Sequence, residues 1–164
     1  MQLTRMTDLA MRLLVYVARH PRRLCTIKEV ADAYGVSGAH LMKVTHQLGR
    51  HGWIETTRGK GGGMRLAHAP REINLGAVVR SIEPDFNLVE CFAGGSDCTL
   101  SGRCGLAGIL EGALRSFLEH LDRYTLEDAL AGMSASADRD WQPLAWLVLG
   151  EGIGRTTGTL AQRG

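Results

Sequence analysis

No apolar run in this chain of 164 residues reaches the roughly 18–20 residues needed to span a bilayer. The first twenty residues carry Arg5, Asp8, Arg12 and Arg19, which leaves no room for a signal-peptide core. The expectation is a cytoplasmic protein with no membrane partner. A nucleotide-binding glycine motif, a Ser/His/Asp constellation and a separate substrate domain are also missing, and together these absences argue against an enzyme. Internal repeats and low-complexity tracts are not found. The four cysteines include no CxxC pair, the short spacing that structural zinc usually uses.

What is present suits one globular core plus an assembly element. Hydrophobic residues make up 45% and charged residues 22%, an ordinary globular balance. The formal net charge of +2 hides a split. Residues 1–80 hold 13 Lys/Arg against 5 Asp/Glu, whereas residues 81–164 hold 6 against 12. A basic front half is the electrostatic footprint of phosphate contact, and the acidic rear half should point away from it.

Along the chain, Met6, Leu9, Leu13, Leu14 and Val17 recur at helical spacing between Thr4 and Arg19, and His20-Pro21 ends that helix. Thr26-Ile27-Lys28-Glu29 is a capping-box pattern opening a helix to Tyr34. Gly35 permits a tight turn, and Ser37 is the expected cap of a third helix from about Gly38 to His51. Helix, glycine turn and helix make a helix-turn-helix. Trp53 to Arg58 alternates like a strand, Gly59-Lys60-Gly61-Gly62-Gly63 is a turn, and Met64 to Ala67 alternates again. That order predicts a mainly α fold with a small β-wing, a winged helix-turn-helix. Asn74 caps a further helix through Ile82. Leu106, Leu110, Leu114, Phe117 and Leu121 form a stripe that needs a partner surface, read as a dimerisation helix, and Thr125 with Asp128 caps a short helix after it. The chain thus divides into a DNA-binding domain (1–83), a cysteine loop (84–105), a dimerisation helix with its short successor (106–131) and a C-terminal tail (132–164).

The third helix enters the major groove through its exposed N-terminal side chains. Ser37 suits a phosphate there, and His40 and Lys43 reach base edges or the backbone. Arg58, Lys60, Gly61 and Arg65 belong to a wing that fits the minor groove, where arginine is attracted. Cys91, Cys98 and Cys104 stand within fourteen positions in a glycine-rich stretch and read as metal ligands. Three thiolates suit zinc or an iron–sulfur cluster, each of which normally takes four protein ligands, so one position is open or filled by another group. Cys25, apart from the three, reads as a small buried hydrophobe, and Asp8 as a first-turn acid paired with Arg12.

Four segments carry a family resemblance: Ser37-Gly38-Ala39-His40-Leu41-Met42-Lys43-Val44, the Arg58–Gly63 glycine wing, Asn87-Leu88-Val89-Glu90-Cys91-Phe92 and Leu121-Asp122-Arg123-Tyr124-Thr125-Leu126. On these the chain resembles the NsrR family of nitric-oxide-sensing repressors, a branch of a winged-helix family that includes the IscR regulators of iron–sulfur assembly. The resemblance covers about residues 1–131, and Ala107 stands where a histidine ligand would mark the IscR branch. It implies a homodimer with one iron–sulfur cluster per subunit, 4Fe–4S in preference to 2Fe–2S, held by Cys91, Cys98 and Cys104. Asp8 of the partner subunit is implied as fourth ligand, with Arg12 near the cluster. The implied function is a repressor on a palindromic double-stranded operator, released when nitric oxide nitrosylates or removes the cluster. The rivals are an iron- or redox-status regulator of the same family and, in another class, an iron–sulfur enzyme or electron carrier.

Overall fold

Local sequence signals set most helix boundaries in the computed structural model, which describes residues 2–94 and 103–135. Helix α1 (Arg5–Ala18) starts at Thr4, whose hydroxyl accepts the Thr7 amide. Helix α2 (Ile27–Tyr34) opens with the expected reciprocal capping box of Thr26 and Glu29. It ends at Gly35, whose backbone is left-handed at φ 61° and turns the chain into α3 (Gly38–Arg50). Strands β1 (Ile54–Thr57) and β2 (Gly63–Leu66) pair antiparallel with Ile54 opposite Leu66 and Glu55 opposite Arg65. Cys25 extends this small sheet, exchanging both backbone hydrogen bonds with Met64 at 2.9 and 2.8 Å.

A 3-10 turn (Pro70–Glu72) leads into α4 (Leu75–Ile82), capped by the Asn74 side chain on the Ala77 amide at 2.9 Å. A second 3-10 turn, Glu90–Ala93, was not expected from the sequence and carries Cys91. Helices α5 (Gly105–Leu121) and α6 (Leu126–Ala135) follow. The last helix runs past the expected boundary at 131. The remainder of the expected tail lies outside the described residues, as does Cys98.

The core forms around α1. Its Leu9, Leu13, Leu14 and Val17 are sealed by Val30 of α2, by Leu41, Val44 and Leu48 of α3, and by Met64, Val78 and Ile82. Each such side chain contributes about 1.5–3 kcal/mol on leaving water. Trp53 closes the wing against α4, donating its indole N–H to Ser81 Oγ at 2.9 Å. In α5, by contrast, no residue is buried. Among the described residues no helix is long and apolar enough to cross a membrane.

Candidate nucleic-acid interface and cysteine centre

Helix α3 turns Leu41, Val44, Thr45 and Leu48 into the core, so its other face is left to solvent with His40, Met42, Lys43, His46 and Arg50. The expected Ser37 cap differs in kind. Ser37 occupies the N-cap position through its carbonyl, which accepts the amides of His40 and Leu41, but its hydroxyl makes no capping bond. An exposed hydroxyl at an uncapped helix start suits a phosphate oxygen, because first-turn amides and the helix dipole favour an anion.

Beside α3 stands the wing. Arg58, Lys60 and Gly61 are exposed at its turn, which closes with the Gly62 amide on Gly59 O at 2.9 Å. A side chain at Gly62 would collide with the carbonyl of Thr57, so the turn keeps its tight closure only with glycine there. Arg65 is different from its neighbours: the strand register sets it opposite Glu55, whose carboxylate takes both guanidinium donors at 2.8 and 2.7 Å. That cross-strand pair, more than half exposed, offsets the charge of Arg65 locally.

Among the described residues the three cysteines differ in environment. Cys25 is completely buried and burial pushes its thiol above the ordinary range, the state of a small hydrophobe. Cys91 is exposed on its 3-10 turn, Cys104 is half-buried at the N-cap of α5, and both are free. Asp8, in the first turn of α1, accepts from Arg12 Nε at 2.9 Å with both side chains about half exposed. Among the described residues of one subunit, no three His, Cys, Asp or Glu side chains converge on a point. The donor chemistry nonetheless fits an iron–sulfur cluster: Cys91 and Cys104 offer free, soft thiols, one exposed and one half-buried, on either side of the segment that contains Cys98.

Two joints around this region escaped the sequence reading. Glu83, which ends α4, receives the Thr4 amide and the Thr4 hydroxyl, each at 3.1 Å, and the hydroxyl of fully buried Thr7. It thereby clamps the start of the cysteine segment to the turn of α1 that bears Asp8. The partners are 76 to 79 positions apart, and no local pattern marks such a pair. The second joint explains the Leu121–Leu126 motif. Asp122 takes Arg80 in a two-pronged ion pair at 2.5 and 2.7 Å, which holds its carboxyl below the usual range. Asn74 Nδ2 donates to Asp122 O at 2.7 Å, the Leu75 amide to Tyr124 O at 3.0 Å and the Leu126 amide to Ile73 O at 2.8 Å. Gly76 lets the helices approach, since a Cβ there would strike the Asp122 carboxylate.

A winged helix-turn-helix with an exposed, basic recognition face defines a DNA-binding transcriptional regulator rather than an enzyme. Residues 3–132 match the Rrf2 family, described as an iron-dependent transcriptional regulator, and the chain belongs to that family. It is similar to the HTH-type transcriptional regulator NsrR of Bacillus licheniformis, 48% identical over 132 residues, 79% of this chain and 92% of that protein. The NsrR regulator of Bacillus subtilis is 48% identical over 130 residues, 78% of this chain and 89% of the relative. Among solved structures, T. potens IscR superposes with a TM-score of 0.63 at 22% identity, covering 89% of this chain and 96% of that one. That likeness is one of fold. The winged architecture, the resemblance to NsrR regulators and the non-enzymatic class, all expected from the sequence, are borne out.

Proposed function

We propose that the chain is an iron–sulfur-dependent repressor that senses nitric oxide and leaves its operator when the cluster is nitrosylated or lost. The observation that carries this reading is the pair of free thiols of Cys91 and Cys104, set on either side of the Cys98 segment in a chain so similar to NsrR regulators. Cys91, Cys98 and Cys104 hold the cluster, 4Fe–4S in the freshly assembled form with 2Fe–2S as the alternative, and Asp8 of the partner subunit is the fourth ligand. A cluster bound there supplies iron that nitric oxide attacks.

The chain's own residues convert ligation into geometry. While Asp8 and Arg12 are engaged at the cysteine segment, α1 of one subunit is tied to residues 84–105 of the other. Helix α5, with Leu106 and Ile109 61% and 69% exposed, is the face on which two copies meet. A two-fold dimer presents two α3 helices about one DNA turn apart, which a palindromic operator matches. Ser37 takes a phosphate, His40 and Lys43 reach base edges or backbone, and the Arg58, Lys60 and Gly61 wing enters the minor groove with Arg65 at its base. When the tie between α1 and the cysteine segment is lost, the spacing of the two helices is no longer held and affinity falls.

The test is the visible spectrum of anaerobically purified protein during a nitric oxide titration, read in parallel with operator binding. A brown protein whose bands bleach as DNA is released supports the reading. A Cys98→Ala protein that still binds and still responds to nitric oxide overturns it. The family's description as iron-dependent favours one second reading, an iron-status regulator, which would respond to iron starvation and not to nitric oxide.

A further inference from the structure

Among the described residues, five large apolar side chains are exposed: Met42, Leu106, Ile109, Tyr124 and Met133. Four of these lie on or beside α5 and α6. Met42 is the exception, 62% exposed in the middle of the cationic face of α3. It is not a core residue pushed outward, because its neighbours Leu41 and Val44 fill the core side of the same turn. Lys43 and His46 flank it on the helix, and Arg58 stands across the groove between α3 and β1.

Such a position gains nothing from phosphate. A thioether has no charge to offer, and in the free protein it wets apolar surface at a cost. The major groove offers one apolar group at the base edges, the C5 methyl of thymine. Methionine is unbranched and polarisable, so it adapts to a methyl group without a fixed rotamer. Resting on the reading of α3 as the DNA-contacting helix, we propose that Met42 is a specificity-determining residue that packs on the C5 methyl of one thymine in each operator half-site.

Deoxyuridine removes that methyl and nothing else. A duplex is first enriched from a randomised pool by the full-length protein purified and kept anaerobically, the form in which the proposed repressor holds its operator, and each thymine is then replaced singly by deoxyuridine. Binding of wild type and Met42→Ala is followed by fluorescence anisotropy at fixed salt. One thymine per half-site should weaken the wild type about fourfold on replacement, the worth of one buried methyl group. Met42→Ala should bind the thymine duplex correspondingly weaker and be indifferent to deoxyuridine at that position alone. Its salt dependence should equal that of the wild type, because no charge is removed. Equal responses of the two proteins to every replacement would overturn the assignment while leaving DNA binding by α3 intact. Failure to enrich any duplex would instead overturn the reading of α3 on which the assignment rests. The high exposure of Met42 makes loss of folding in the variant an unexpected outcome, checked by its circular dichroism.

Discussion

Helix α1 buries Ala10, Leu13 and Leu14 completely, whereas α5, with 17 residues, buries none. Both helices carry an apolar stripe, and their environments are opposite. The apolar face of α1 is covered by side chains of α2, α3, α4 and the wing together with Leu126 of α6, so its stabilisation is supplied by an enclosed core. Helix α5 touches its own chain mainly at α4 and is held at its far end by the Asp122 and Tyr124 hydrogen bonds rather than by an enclosed core. Its upper half, with Leu106 and Ile109, projects apolar surface that a second copy would cover. The contrast separates what makes the protein fold from what, on the proposed reading, makes it assemble.

The largest effect that sharpens this contrast is expected from Leu13→Ala, which opens a cavity in the core and costs about 2–5 kcal/mol in urea denaturation. Ile109→Ala should cost under about 0.5 kcal/mol in the same experiment run at a protein concentration low enough to keep both proteins monomeric, as for an exposed site. Sedimentation should nevertheless show it shifting a dimer towards monomer. If Ile109→Ala destabilised the monomer as Leu13→Ala does, α5 would belong to the core and the contrast would be broken.

Next in size is the clamp between the regions. Glu83→Leu deprives the buried Thr7 hydroxyl and the Thr4 amide of their acceptor, a loss of about 1–3 kcal/mol. Amide exchange should quicken in the first turn of α1 and stay unchanged in α3. A uniform rise across the chain would show that Glu83 is a general stability element and not a local tie.

Gly76→Ala probes the arm's attachment. The added methyl displaces Asp122 from Arg80, and since that pair is about 40% exposed the effect on global stability should be small. Exchange should quicken in α5 and α6 while α1 to α3 keep their protection; equal loosening of both parts would contradict the division.

The smallest effect is acid sensitivity. Glu29 is held below the ordinary carboxylate range chiefly by the Thr26 amide and hydroxyl and by Arg23, and Asp128 likewise by Thr125. A carboxylate with a depressed folded-state pKa adds stability above its unfolded value, and that stability disappears as pH falls through the folded one. Both helix caps should therefore weaken as the pH drops below about 4. Thr26→Ala should flatten this decline in the winged-helix part and Thr125→Ala in α6. The check is thermal denaturation at pH 6 and pH 3; unchanged slopes would remove the caps as the cause.

Most of the winged-helix part was legible because its signals are local. Capping residues, glycine turns and apolar periods act within four residues, and Thr26 with Glu29, Asn74, and the pairing of Thr125 with Asp128 appear where they were expected. The candidate site was legible in its residue types and not in its couplings. The Asp8–Arg12 ion pair follows from helical spacing, but the placing of Glu55 beside Arg65 depends on strand register. The exposure of Met42 depends on which face of α3 the core takes. The Cys91 turn had no periodic signal to announce it.

By itself the sequence determined the order of helices and strands, the separation of a basic half from an acidic one and the set of thiols available for a metal, because chain-local spacing and composition suffice for each. Only the tertiary structure decided that Glu83 grips the first turn of α1, that Asp122 docks on Arg80 over Gly76, and that Met42 faces outward among cations. Those contacts join residues about 40 to 80 positions apart, or turn on which helix face the core covers. They exist only once burial of the α1 core has brought the segments together.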